Sequence, residues 1–329
     1  MISVLEMELR HLQALVALSE LRSFSAAADY LGTVQSNVSG HVARLEGELG
    51  ATLFDRSTAS LTPEGEVVVT RAYRMIGELE AMTADLAALR QEVAGFVRAG
   101  MIGTTARWLV PPLLAELVVR HPKLRLTVAE GTNTLLEPQL AAGRLDMAVL
   151  TLPVGGRDLS FEPLFEEDVV LVVPIGRDPL PALNRVELAD LTELELVLPA
   201  PGTSFRAEID AAVKPLGIRL RPRAEVDGVQ LIATLAFDGF APALLPATAV
   251  TAQSPARFRT LSIDGMAARR VGLALRSRGM PAAPTRAVLD ALRRLVVAPE
   301  RLPEGLRAVI PAAVSRAEGS WRPVGVPNG

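Results

Sequence analysis

The sequence predicts an all-helical amino-terminal unit, a long connecting helix and a larger α/β unit of two lobes. Three observations predict it. Three short helical patterns crowd between Leu9 and Leu53, an apolar row at 4-3-4-3-4 spacing runs from Met75 to Val93, and two runs of alternating strand and helix patterns fill most of the remainder. The chain has 329 residues, 49% hydrophobic and 22% charged, which is enough apolar material for more than one core.

In the first unit, Leu12, Leu15, Val16 and Leu18 give the first helix its apolar face. Ser23 is placed to cap the second helix, which runs through Phe24, Ala26, Ala27, Ala28 and Leu31. After the turn Leu31-Gly32-Thr33, a third helix is predicted over Gln35–Leu49, with Val38, Val42, Leu45 and Leu49 on its inner face. Its other face is small and polar: Gln35, Ser36, Asn37, Ser39, Gly40, His41 and Arg44. Two helices joined by a short glycine-containing turn, the second with a polar outer face, form a helix-turn-helix pattern. Leu53-Phe54-Asp55-Arg56 through Leu61-Thr62 reads as a short hairpin, a candidate wing.

Thr62-Pro63-Glu64 starts the long helix, with threonine as cap, proline at the first helical position and an acid in the first turn. Met75, Leu79, Met82, Leu86, Leu89 and Val93 form an a/d seam suited to self-association. The other faces are polar (Arg71, Arg74, Glu78, Glu80, Asp85, Arg90, Glu92), which favours a pairing helix over one packed only on its own domain, and the second reading stays open. Beyond Gly95 the predicted order is strand 97–102, helix 107–120, strand 124–129, helix 135–142 and strand 147–150. It continues with strands 169–173 and 196–198, helix 205–216, strand 223–226, helix 229–237, strands 243–245 and 271–275, and a closing helix 284–297. Strands alternating with helices predict parallel sheets, and two such sets side by side predict two lobes with a cleft between them. Residues 299–329, rich in Pro, Gly and Arg, read as a mostly disordered tail with a short helix near Leu306–Ala317.

Charge does not announce a nucleic-acid partner. Net charge is −3, and between Met7 and Thr62 the bases Arg10, Arg22, Arg44 and Arg56 are outnumbered by Glu8, Glu20, Asp29, Glu46, Glu48 and Asp55. There is no cysteine, which removes disulfides, thiolate metal sites and cysteine nucleophiles. No apolar run approaches the ~20 residues of a membrane helix. The first ten residues lack a basic start followed by an apolar run, so a cytoplasmic protein without a secretory signal is expected.

Phe24-Ser25-Ala26-Ala27-Ala28-Asp29-Tyr30-Leu31, Gln35-Ser36-Asn37-Val38-Ser39, Leu45-Glu46, Leu49-Gly50, Leu53-Phe54-Asp55-Arg56 and Leu61-Thr62-Pro63-Glu64-Gly65 together resemble the LysR-type transcriptional regulators in order and spacing. The resemblance continues through Pro111-Pro112-Leu113-Leu114-Ala115, His121-Pro122, Gly143-Arg144-Leu145-Asp146-Met147-Ala148 and Leu244-Leu245-Pro246, and so spans Glu8 to Val297. It implies a winged helix-turn-helix DNA-binding domain over 7–62 and a linker (dimerisation) helix over 63–94. Behind these it implies a periplasmic-binding-protein-like, two-lobed effector-binding domain over 95–298. Carried over, the first lobe is 95–161 plus 269–298 and the second 162–268. The family's function implies sequence-specific binding to double-stranded promoter DNA as a dimer or tetramer, a small-molecule, anionic or polar effector in the inter-lobe cleft, and RNA polymerase as a further partner.

This chain departs from the family pattern at several points. Val34 stands where a capping serine is usual, so Thr33 is expected to take that duty. Gly40 stands where a basic residue is common, and Ala241-Pro242 replaces a Gly-hydrophobic pair before Leu244.

Gln35, Ser36, Asn37 and Ser39 are the candidates for DNA contact at the tip of the third helix, because Gln and Asn can bond two base-edge atoms at once. Arg44 and Arg56 are the candidate phosphate partners. Glu46 and Glu48 are expected to face the domain or solvent, and His41 reads equally as a phosphate contact or a solvated side chain. For the effector, the candidates are hydroxyls and amides at helix starts: Thr104, Thr105, Thr151, Thr203, Ser204 and Gln230, with Thr104 and Thr203 preferred by resemblance. The alternative is that the threonines only cap helices. Arg107 and Arg206 are secondary candidates for countering a carboxylate, and Trp108 reads as core or pocket wall.

An enzyme is not expected. His11, His41 and His121 are far apart, and no metal spacing, phosphate loop or Gly-x-Ser-x-Gly is present, so no cofactor or metal is expected either. A solute-binding protein would explain the two lobes but not residues 7–62. A DNA-binding regulator without a metabolite effector remains the other alternative.

Overall fold

A computed structural model describes residues 7–90, 92–156, 158–175, 183–250, 257–298 and 302–309. The first unit is built from α1 (Leu9–Leu21), α2 (Phe24–Leu31) and α3 (Gln35–Leu49), followed by a two-stranded hairpin of β1 (Phe54–Asp55) and β2 (Ser60–Leu61). Leu12, Leu15 and Leu18 of α1, Ala27 and Ala28 of α2, and Val38, Val42 and Leu45 of α3 are buried against one another. Leu49, expected on the inner face, is 36% exposed because it lies in the last turn before Gly50 ends the helix. Ser23 caps α2, its Oγ accepting the Ala26 N–H at 3.3 Å. Gly32 at φ +64° makes the turn, a backbone region that favours glycine. A glycine within α3 costs roughly 1 kcal/mol, whereas each fully buried leucine contributes roughly 2 kcal/mol, so the core carries α3 through Gly40 without a break.

Thr62 caps α4 (Pro63–Ala88) by accepting the Gly65 N–H at 3.0 Å, and it donates to the Thr52 carbonyl at 2.6 Å. Gly65 is required there: a Cβ would lie 2.0 Å from the Leu53 carbonyl oxygen. Glu46 faces its own domain, its Oε1 accepting the Leu53 and Phe54 N–H groups at the start of the wing.

One face of α4 is occupied by the rest of the chain. Val69 and Ala72 belong to the amino-terminal core, and Arg74 donates to the Ala141 carbonyl. Asp85 accepts the Ala283 N–H at 2.8 Å and so serves as the missing cap of α9 (Ala283–Val297), whose own cap residue Ala282 offers no side-chain bond. Along another face Met75, Leu79, Met82 and Leu86 are 43–58% exposed, and Leu89, at the helix end, is 82% exposed. Val93, expected in the same helical row, lies beyond the end of α4 and is half-buried.

The first lobe holds β3 (Gly95–Met101), α5 (Gly103–Arg120), β4 (Leu124–Glu130), α6 (Asn133–Ala142), β5 (Met147–Leu152), β6 (Leu159–Glu167), and α9 after the return strand. The second holds β7 (Val169–Pro174), β8 (Arg185–Glu187), β9 (Glu195–Pro199), α7 (Ser204–Val213), β10 (Arg221–Val226), α8 (Val229–Phe237), β11 (Ala243–Pro246) and β12 (Phe258–Asp264). The chain then re-enters the first lobe through β13 (Arg269–Arg276) and finishes its described part with β14 (Leu306–Ala308). The sheet orders are β14-β6-β13-β5-β3-β4 and β10-β9-β11-β7-β12-β8.

Three expectations need correction. The sheets are mixed rather than parallel: β13 runs antiparallel to both β5 and β6, and β7 antiparallel to β11 and β12, because the strand that follows each crossover enters its sheet from the opposite end. The first crossover falls at Asp168 and not near 161, since β6 remains in the first sheet through Glu167. Leu306–Ala308 is a strand paired with β6, where a helix was expected; 310–317 and most of the tail lie outside the described residues. Ala241-Pro242 does not disturb the second sheet: the Pro242 carbonyl accepts the Val197 N–H and β11 follows directly.

Candidate functional site

The tip of α3 exposes a cluster of uncharged polar side chains. Gln35 and Ser36 are exposed and no side chain caps the helix, so its first N–H groups are left to face an incoming anion. Thr33 does not cap the helix as expected; its Oγ1 instead accepts the Asn37 side-chain amide at 2.9 Å, which holds Asn37 toward the turn. Arg56, from the wing, donates to Ser39 Oγ at 2.9 Å and lies 4.8 Å from the Phe24 ring centroid. Wing and helix thereby present Arg56 and Ser39 together, which no spacing along the sequence could reveal. Arg44 is exposed on the same helix, with no ion pair among the described residues. His41 is half-buried and packs at 5.3 Å, ring to ring, on the fully buried His11. Burial, with the neighbouring His11 and Arg10 adding to it, holds the His41 imidazole below its ordinary value.

In the two-lobed unit the predicted effector residues divide. Thr203 is a helix cap: its hydroxyl accepts the Arg206 N–H at 3.3 Å and donates to the Ala200 carbonyl at 2.8 Å. Ser204 beside it is exposed. Thr104 and Thr105 lie inside the first turn of α5 and are buried, and the Thr105 hydroxyl has no hydrogen-bond partner among the described residues. Both ends of the Gln230 side-chain amide, at the start of α8, are likewise buried without a partner among those residues. α5 of the first lobe and α8 of the second pack against each other. Buried polar atoms are usually hydrogen-bonded, and leaving one unpaired costs about 1–3 kcal/mol. Arg206 is held by Asp210, Glu225 and the Pro199 carbonyl. Arg107 is exposed, and Trp108 is half-buried with its ring edge-on to Phe165 at 5.3 Å.

Thr151 leads to the residues that sequence reasoning missed. Its Oγ1 accepts a bond from Arg269 Nη2 at 3.1 Å. The same guanidinium donates from Nη1 to Glu167 Oε1 at 2.7 Å and from Nε to Glu208 Oε2 at 2.6 Å, and it lies 5.0 Å from the Phe205 ring centroid. Glu167 is fully buried, and its other oxygen accepts the Thr248 hydroxyl and N–H. Burial opposes the charge of Arg269, but the two carboxylates outweigh it and hold the guanidinium above its ordinary value. Thr151, Glu167 and Arg269 belong to the first lobe at or beside the crossovers, whereas Phe205, Glu208 and Thr248 belong to the second. The signal was present as two charged pairs, Glu166-Glu167 and Arg269-Arg270, which face each other in register on β6 and β13. It becomes legible only once 159–167 is recognised as a strand. A hollow of about 460 Å³, lined in part by Glu80, Phe96, Asp146, Arg276 and Met280, opens elsewhere, between α4 and the first lobe.

Comparison with known proteins matches residues 9–66 to the bacterial regulatory helix-turn-helix protein model of the lysR family, and residues 90–296 to the LysR substrate binding domain. A probable hydrogen peroxide-inducible genes activator of Streptomyces viridosporus is 32% identical over 87% of this chain and 93% of its own. A protein of the same description from Mycobacterium leprae is 33% identical over the same shares. Among solved structures, a full-length OxyR from Pseudomonas aeruginosa carrying a cysteine-to-aspartate substitution superposes with a TM-score of 0.72 at 25% identity, over 88% of this chain and 95% of that one. CbnR in complex with its target DNA shares the fold, with a TM-score of 0.63 at 23% identity over 88% and 99%. With both halves of its fold matched, this chain belongs to the LysR-type transcriptional regulators, DNA-binding regulators with an effector-binding domain rather than enzymes.

Proposed function

We propose that the chain reads promoter DNA with the tip of α3, as a dimer paired along the exposed row of α4, and that a small polar molecule in the inter-lobe cleft sets its activity. The observation that carries this reading is the uncapped end of α3, where exposed Gln35 and Ser36 stand beside the Ser39–Arg56 pair. Gln35 and Ser36 are the direct readers of base edges. Arg44, Arg56 and the free helix end hold phosphates, and Asn37 contributes after releasing Thr33. Such a regulator works in the cytoplasm and meets RNA polymerase at the promoter. No described helix is long and apolar enough to cross a membrane.

The relatives named for hydrogen peroxide raise the question of what is sensed. Peroxide oxidises a thiolate to a sulfenic acid, and this chain contains no cysteine. Its response therefore does not run through thiol oxidation, and reversible binding in the cleft is the reading we adopt. The unpartnered Thr105 hydroxyl and Gln230 amide supply neutral hydrogen-bonding groups for such a ligand. The test is a footprint of the full-length protein on the DNA flanking its own coding sequence, repeated at rising salt. A protected, partly two-fold symmetric site whose affinity falls steeply with salt supports the reading. Uniform protection without a preferred site refutes it.

A further inference from the structure

The Arg269 cluster joins the two lobes through a single charge. Thr151 and Glu167 hold it from the first lobe, while Glu208 and Phe205 of α7 hold it from the second. The two carboxylates are not equivalent. Glu167 is fully buried, lies opposite Arg269 in the β6–β13 register and is bound a second time by Thr248. Glu208 has no other partner among the described residues, and its side chain is 32% exposed, so it can leave without stranding a buried charge. It also uses the guanidinium incompletely. Nε and Nη2 form the side edge that a carboxylate grips with both oxygens, yet Glu208 takes Nε alone, while Nη2 goes to the Thr151 hydroxyl. Tethered to α7, Glu208 takes the Nε hydrogen alone in this arrangement, whereas a free carboxylate carries no such tether.

We propose that Glu208 is a resident stand-in for the effector: a small carboxylate displaces it from Arg269, grips the Nε–Nη2 edge, and thereby releases α7 of the second lobe from the strand ends of the first. This rests on the cleft reading above and names its ligand class and its switch. Exchanging one carboxylate for another leaves the charge of the cluster unchanged, so the ligand need not overcome the desolvation of a bare guanidinium. Phe205 and Glu167 keep Arg269 in place during the exchange. Because the ligand binds only the state in which Glu208 has left, it shifts the population of lobe arrangements by its preference for that state.

The test uses the full-length chain with acetate, malonate and benzoate as probes, at constant ionic strength against chloride, read by thermal shift and by titration calorimetry. In Glu208→Gln the resident charge is gone, and at least one of the three is expected to bind tenfold or more tightly than to the native protein. Hydrogen exchange in α7 should rise in Glu208→Gln without ligand, and in the native protein when that carboxylate is added. Arg269→Lys, which keeps the charge but loses the planar edge, should abolish the preference even if its stability falls. No gain in Glu208→Gln over the native chain for any probe, or binding that survives Arg269→Lys unchanged, overturns the proposal. Affinity for the footprinted DNA is measured on the same proteins. Sequence-specific DNA binding with no carboxylate preference refutes this switch alone, whereas absence of specific DNA binding refutes the functional reading.

Discussion

Leu79→Ala together with Leu86→Ala removes the centre of the exposed row on α4. In the isolated chain these side chains are 43% and 58% exposed, so about half of each leucine remains to be covered by a partner. A whole leucine is worth roughly 2 kcal/mol on burial; the uncovered halves of four leucines across a pair, less what the alanine methyls retain, come to about 3 kcal/mol. That corresponds to a dimer about 10²-fold weaker. The folded protomer should hardly notice, since exposed substitutions typically change stability by less than about 0.5 kcal/mol. α4 is also fixed independently, by Asp85 on the end of α9 and by Arg74 on the Ala141 carbonyl. Sedimentation velocity across a hundredfold range of concentration reads the association, with far-ultraviolet circular dichroism confirming that the helix persists. An unchanged mass distribution with intact helicity refutes the assignment of this face to pairing. A loss of helicity with the loss of mass would show instead that the row supports the protomer.

Three further outcomes follow from the amino-terminal unit. Gln35→Ala should relax discrimination at one base position by about 1–3 kcal/mol, whereas Arg56→Ala should weaken binding to all sequences alike and lower the salt slope by about one; a selection-based binding assay separates them, and identical profiles contradict the division of roles. Gly40→Arg should tighten binding to every DNA tested and raise the melting temperature, since a Cβ there meets nothing within 4 Å and the helix gains up to about 1 kcal/mol; weaker binding would place Gly40 against the DNA backbone. His41 is held below the usual imidazole pKa of 6.5 by burial, with His11, Arg10 and Arg44 reinforcing this and Glu8 opposing it. Its contribution to stability is therefore present above about pH 6.5 and is lost as pH falls through the lower folded value. His41→Gln should flatten the fall of the melting temperature between pH 7 and 5, and an unchanged pH slope would contradict this.

Repetition and punctuation made most elements legible in the sequence. The first three helices announce themselves through apolar spacing and Ser23. The start of α4 is marked by Thr62-Pro63, and the buried strands of the lobes by short runs such as 169–173. These signals are local: each residue's preference and its neighbours three or four positions away suffice. Elements with weak local signals escaped. β6 carries Pro163 and three glutamates, β8 spans only Arg185–Glu187, and β12 buries few apolar side chains in alternation.

The residues with the most to say about function are divided in the same way. Sequence alone determined that this chain has a helix-turn-helix with a polar tip, a row of apolar residues on a long helix, and no thiol for redox chemistry. Tertiary structure alone decided that Thr203 is a cap while Thr105 and Gln230 find no partner among the described residues, and that Arg56 reaches Ser39. It also decided that Arg269 gathers Thr151, Glu167 and Glu208 from both lobes, contacts separated by 118, 102 and 61 residues. The physical reason is range. Capping and helical periodicity act over a single turn, so they are written in neighbouring letters, whereas a buried charge is satisfied by whichever groups the folded chain brings within about 3 Å, and that depends on the path of every strand between them.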